Sequence, residues 1–218
     1  EKPEISIGAD IVSGYIWRGQ ELGDFSVQPS ASLSWKGFSL SAWGSASIGS
    51  GYAKEFDLTL GYSAGGFSVS LTDYSFKGTN LKTGNTIQGN YFHYGSNSTL
   101  HVFEAQIGYD FDFMSVNWYT NIAGNDGRRS NGRRAYSSYI SVSAPFRTGD
   151  IGWNATIGAT PWETSFYNNG CDGFEVSEIS LQASKTIHIT ERFGLPLSAK
   201  AIWNPATENA YFTVGLTL

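Results

Sequence analysis

Apolar and polar residues alternate along almost the whole chain with a period of two. That is the pattern of strands whose two faces meet different surroundings. In the opening stretch, Ile5, Ile7, Ala9, Ile11, Ser13, Tyr15 and Trp17 take odd positions, while Ser6, Gly8, Asp10, Val12, Gly14, Ile16 and Arg18 are even. The spacing predicts twelve strands over 5–18, 26–35, 38–48, 55–62, 67–72, 103–109, 114–122, 136–146, 151–159, 178–184, 197–203 and 211–218. Helical periodicity is nearly absent. The joins near 36–37, 64–66, 110–112 and 147–150 are tight, and the one near 187–194 is looser. Those near 19–25, 49–54, 77–98, 124–134, 161–174 and 204–209 are mostly longer. An even strand count with one short-turn end and one long-loop end describes an all-β, antiparallel up-and-down β-barrel. It would be a single domain over 1–218, with both termini at the short-turn end.

Composition decides which face points outward. Charged residues make up 15% of the 218, against about 25% in a typical soluble domain. The polar face is mostly Ser, Gly, Thr and Asn. A water-facing exterior carries roughly 25–35% charge, whereas a narrow lumen favours small polar side chains. Aromatic residues gather at strand ends. Trp35, Phe38, Tyr62, Phe67, Tyr109, Phe146 and Trp153 flank the short turns; Tyr15, Trp17, Phe56, Phe103, Tyr136 and Trp203 lie toward the long loops. Two such girdles mark the interfaces of a membrane-spanning barrel. The expectation is therefore a transmembrane barrel, apolar outside and polar inside. Net charge of −5 argues against a nucleic-acid partner, and the lone Cys171 excludes a disulfide scaffold. The first residue is Glu1 and no secretory apolar stretch follows it, which suits a mature, processed chain.

Two stretches carry a family resemblance. The final residues, Tyr211-Phe212-Thr213-Val214-Gly215-Leu216-Thr217-Leu218, resemble the C-terminal strand signal of bacterial outer-membrane barrels, with Leu218 where a terminal aromatic is usual. Ser13-Gly14-Tyr15-Ile16-Trp17-Arg18-Gly19, followed by Gln28-Pro29-Ser30, resembles small, poorly characterised porin-like proteins of Bacteroidetes. The resemblance implies the outer membrane of a Gram-negative bacterium, contact with the barrel-insertion machinery and with lipid or lipopolysaccharide, and no cofactor. The expected molecule is a monomer.

The candidate chemistry follows from facing. Lumen-lining residues are assigned as Asp10, Arg18, Gln28, Asp57, Glu104, Gln106, Asn117, Asn121, Asn154, Glu178, Gln182 and Lys200. Carboxylates exceed bases in that set, so an open path would mildly favour cations. Inward Trp43, Tyr74, Tyr119, Tyr139 and Tyr211 favour partial occlusion. By analogy with larger porins alone, the long loop 77–98 is a candidate to fold inward and constrict the pore. Arg128, Arg129, Arg133 and Arg134 form a loop cluster able to meet lipopolysaccharide phosphates. His93, His101 and His188 lack metal-ligand spacing. His93-Tyr94-Gly95-Ser96-Asn97 is a poor match to the His-x-Ser-Asn of outer-membrane lipid hydrolases, since a spacing of three puts the side chains on opposite strand faces. Ser130-Asn131-Gly132-Arg133 lacks the His altogether. The reading is a narrow channel for small polar solutes rather than an enzyme. Its rivals are a lipid hydrolase and a closed barrel that binds a partner through loops 77–98 and 161–174.

Overall fold

The computed structural model describes residues 2–49, 52–79, 86–87, 90–95, 98–191 and 193–218. Among them are fifteen strands and no helix: β1 (Glu4–Val12), β2 (Tyr15–Trp17), β3 (Gln20–Gly23), β4 (Ser26–Trp35), β5 (Phe38–Ser47), β6 (Lys54–Ala64), β7 (Phe67–Thr79), β8 (Thr86–Ile87), β9 (Val102–Asp110), β10 (Ser115–Gly124), β11 (Ser138–Thr148), β12 (Ile151–Thr160), β13 (Glu175–Thr190), β14 (Phe193–Asn204) and β15 (Asn209–Thr217). Twelve of these pair antiparallel in sequence order and close into a barrel. β2 and β3 pair only with each other, and β8 is a two-residue annex on β7. The ring closes between first and last strands, with Asp10 opposite Thr217 and Val12 opposite Gly215. Closure leaves no long unpaired edge.

Tight turns at one end have a local cause. Lys36-Gly37 (φ 50° and 85°) and Gly65-Gly66 (φ 57° and 83°) place two successive residues in the left-handed region. That conformation matches the right-handed twist of the flanking strands. The join expected near 187–194 is also tight. β13 continues through Ile187 and Ile189, both exposed on the outer face, and the chain reverses between Thr190 and Phe193.

The barrel is inside-out relative to a water-soluble protein. Ile7 is 81% exposed and Phe212 70%, and Leu40, Leu60, Ile107 and Ile157 are exposed beside them. Buried positions are mostly polar, including Gln28, Ser45, Glu104, Asn121, Ser141 and Glu178. Near the short turns the outer face carries Trp35, Phe38, Tyr62, Phe67, Tyr109 and Phe146. Phe38 meets Tyr62 at 4.8 Å between ring centroids, and Phe146 stacks on Trp153 at 6.0 Å. Phe56, Tyr136 and Trp203 are exposed toward the long loops.

The first predicted strand is wrong in its second half. β1 ends at Val12, and residues 15–23 leave the wall as the β2–β3 hairpin. Its tip, Arg18-Gly19, is again a two-residue turn with φ of 51° and 78°. Tyr15 and Trp17 therefore do not belong to the outer girdle. Tyr15 packs on the inward Trp43 at 5.4 Å, and Trp17 on the inward Tyr74 at 6.0 Å.

Candidate functional site

The hairpin enters the barrel and bridges its interior. β9 lies five steps around the ring from β1, nearly the full half-circumference, and Arg18 reaches its Glu104. Arg18 donates two parallel hydrogen bonds to that carboxylate, of 2.5 and 2.8 Å, and a third, of 2.5 Å, to the Tyr167 hydroxyl. Planar guanidinium suits such a bidentate grip. The Tyr74 hydroxyl donates to the same carboxylate at 2.9 Å. The guanidinium carbon also lies 4.3, 4.1 and 4.8 Å from the ring centres of Trp17, Tyr119 and Tyr139. Arg18 is 9% exposed, Glu104 2% and Tyr167 not at all. Tyr167 comes from the loop after β12, so two loops from the long-loop end meet inside the barrel.

The tip is locked by backbone contacts as well. Asn204 Nδ2 donates to the Gly19 carbonyl at 3.1 Å, and the Asn168 backbone N–H to Gln20 Oε1 at 3.0 Å. A Cβ on Gly19 would stand 1.8 Å from the Ser177 carbonyl oxygen, so only glycine fits there. Beside this plug, Glu178 accepts from the Tyr139 hydroxyl (2.9 Å), Ser180 Oγ (2.7 Å) and Lys200 Nζ (2.8 Å). Arg18–Glu104 is thus a compensated buried charge pair, and Glu178 is a buried carboxylate compensated by the half-buried Lys200.

Two further carboxyl groups have no such cation among the described residues. Glu55 and Asp57, two apart on β6, share the inner face with their carboxyl groups close enough to hold one proton between them, and Glu55 also meets Tyr15. Asp57 Oδ1 has no partner among the described residues. Sequence reasoning selected Asp57 and missed Glu55, although strand parity placed both inward. It also missed Tyr167, which sits in a loop with no periodic signal.

The remaining assigned residues line the wall. Gln106 Nε2 donates to Ser68 Oγ (3.0 Å) and Asn117 Oδ1 (2.9 Å). Gln28 Nε2 donates to Ser45 Oγ at 3.3 Å, and Asp10 accepts from Thr217 Oγ1 at 2.6 Å. Asn154 and Gln182 are half-buried. Asn121 is fully buried, and its Nδ2 donates to Asp126 beneath the loop at 125–137.

The four arginines do not act as one patch. Arg128 Nη1 donates to the Gly132 carbonyl and Arg134 Nη2 to that of Gly124; Arg129 and Arg133 are exposed and their side chains make no such bond among the described residues. This loop is zipped to the loop at 161–174. The Ser130 N–H donates to Glu163 Oε1 at 2.5 Å, and the Arg128 N–H to Ser165 Oγ at 2.9 Å. Hydrogen bonds from Ser130 hold the Glu163 carboxyl below its ordinary range.

The inward folding for which loop 77–98 was a candidate is not what the described part of it does. Residues 80–85, 88–89, 96 and 97 lie outside the described residues. The stretch 90–95 packs on the outer wall. Tyr91 meets the outward Phe56 at 5.4 Å, and Tyr94 meets His101 at 4.5 Å and Phe103 at 6.2 Å. His101 Nδ1 pairs with Asp73 Oδ1 at 2.5 Å under this cover. The constriction is therefore built by the first and fifth long loops. The third cannot form it with residues 90–95, because their aromatic rings are already engaged outside.

Of the hydrolase-like stretch, Ser96 and Asn97 are likewise outside the described residues. His93 Nε2 instead meets Ser98 Oγ at 2.7 Å in an exposed loop. Among the described residues no three His, Cys, Asp or Glu side chains converge as a metal site. No protein-family model matches the chain, and no curated protein is similar to it at a significant level.

Proposed function

We propose that this chain is a bacterial outer-membrane barrel, a narrow channel for small polar solutes that stands closed in this conformation. The observation that carries the reading is the buried Arg18–Glu104 contact across a polar lumen. The apolar outer face supports a lipid setting, because a contiguous exposed apolar band is unfavourable in water. The Ser13–Gly19 stretch that carries the porin-like resemblance is the stretch that enters the lumen. Half-buried Gln106, Asn117, Asn154 and Gln182 offer hydrogen bonds to a solute in place of water. Passage requires the hairpin tip to leave Glu104. No catalytic step is assigned, the barrel acts as a monomer, and lipid is its obligatory surrounding.

Planar-bilayer conductance tests this. Wild type should be silent or open only briefly. Arg18→Ala, with the plug unpinned, should give stable salt-dependent steps. Silence from Arg18→Ala, and from a variant with residues 14–24 replaced by a short Gly-Ser link, would defeat the channel reading and favour a permanently closed barrel.

A further inference from the structure

At the long-loop rim, the outer wall holds an arrangement that the channel reading does not use. Lys54 opens β6 and Lys77 lies near the end of β7, and the two are direct register partners. Both face outward, by parity with Phe56 on β6 and Leu71 on β7, and both are exposed. Like charges opposed across a strand pair repel. Neither ammonium has a carboxylate or hydrogen-bonding partner among the described residues. The two lysines stand over a groove of about 530 Å³ that also includes Glu55, Phe56, Ser75, Asn90, Tyr91 and Phe92. Phe56 and Tyr91 meet edge-on at 5.4 Å, and Phe92 packs on Tyr91 while remaining 83% exposed. Glu55 contributes to the groove although its carboxyl belongs to the inner face, with Asp57 and Tyr15.

The groove is therefore amphipathic, with two uncompensated cations at one side and exposed aromatic rings at the other. We infer that it binds the phosphorylated headgroup of an outer-leaflet glycolipid, with phosphate between Lys54 and Lys77 and acyl chain against Phe56, Tyr91 and Phe92. A bound phosphate would remove the repulsion between the ammoniums, which nothing else described there does. The inference rests on the membrane reading above. It moves the lipid-phosphate contact from the arginine loop, where Arg128 and Arg134 are engaged internally, to the barrel wall.

The test uses the whole protein, folded in detergent and mixed with phosphatidylcholine vesicles containing bis-phosphorylated lipid A. Lipid A retained by the re-purified protein is measured by mass spectrometry. Wild type should retain it, and the K54Q/K77Q variant should bind at least tenfold more weakly, since each lysine facing an anionic headgroup contributes about a factor of five. K54R/K77R should restore retention, and R129Q/R133Q should leave it unchanged. Without lipid A, K54Q/K77Q should be at least as resistant to heat as wild type, because removing opposed charges relieves repulsion. A purely structural pair of lysines would give the opposite result. Equal retention by wild type and K54Q/K77Q overturns the inference, as does equal retention of dephosphorylated lipid A. So does displacement of lipid A by inorganic phosphate at matched concentration, which would make the groove a free-phosphate site. A chain that enters no vesicle at all defeats the membrane reading instead. One that inserts yet discriminates none of these lipids defeats only the glycolipid site.

Discussion

Arg18 is the residue on which the interior depends. Its charge is taken from water by burial, and the bidentate Glu104, the Tyr167 hydroxyl and three ring faces replace that hydration. Breaking a buried pair by removing one partner costs more than the pair itself contributes, because it strands a charge. Arg18→Ala and Glu104→Ala should each lower stability by about 3–5 kcal/mol. The double replacement Arg18→Met, Glu104→Leu should cost less than the sum of its singles. Urea unfolding in detergent, followed by tryptophan fluorescence, measures this; additive losses would show that the two side chains do not act as a unit. Glycine has a comparable role at two positions. Gly19→Ala should displace the hairpin tip, and Gly158→Ala should expel the Tyr139 ring, whose hydroxyl lies 1.8 Å from where a Cβ would stand. Of this site, Arg18, Glu104, Glu178 and Lys200 were legible in the sequence as inward charges. Which of them meet was not legible. Strand parity gives the face and says nothing about contacts across the lumen.

At the scale of elements, strand alternation carried the twelve-stranded plan, because each wall strand separates two unlike surroundings residue by residue. The hairpin defeated it. Ile5 to Arg18 reads as one alternating stretch, with lapses at Val12, Ser13 and Ile16 too few to end a strand, but beyond Val12 Tyr15 and Trp17 pack on the lumen's own aromatics. Period two reports strand, and it cannot report whether the strand stays in the wall. The one local clue was Arg18-Gly19, a residue pair suited to a two-residue turn. Loop 161–174 left no periodic trace, so Tyr167 was invisible. The zip between that loop and 125–137 has a pH dependence. Glu163 is depressed in the folded state, so its contact with Ser130 is complete above the ordinary carboxylate range and is lost as pH falls through the lowered value. Hydrogen-exchange protection of the Ser130 amide should therefore persist at neutral pH and fall on the acid side. Glu163→Gln should make that protection independent of pH. Protection that falls equally in Glu163→Gln would assign the effect to another group.

For the whole molecule, the low charge content becomes intelligible as a property of the outer wall. A wall rich in Ile, Leu, Val and aromatic side chains has little place for charge. Most charges gather in the lumen, the turns and the loops, and those on the outer wall keep to its rims, as with Lys54 and Lys77 at the long-loop end and Lys185, paired with Asp150, at the short-turn end. Four of the seven tryptophans divide along the same line. Trp35 and Trp203 point outward and are about half exposed, whereas Trp17 and Trp43 face the lumen. Their division gives the most direct test of an inside-out barrel closed by its own hairpin. Variants retaining a single tryptophan would be folded into vesicles whose acyl chains carry bromine, a short-range fluorescence quencher. The account predicts strong quenching for Trp35 and Trp203 and almost none for Trp17. Equal quenching of all three would place the hairpin outside the lumen, and no quenching of Trp35 and Trp203 would contradict the lipid-facing wall.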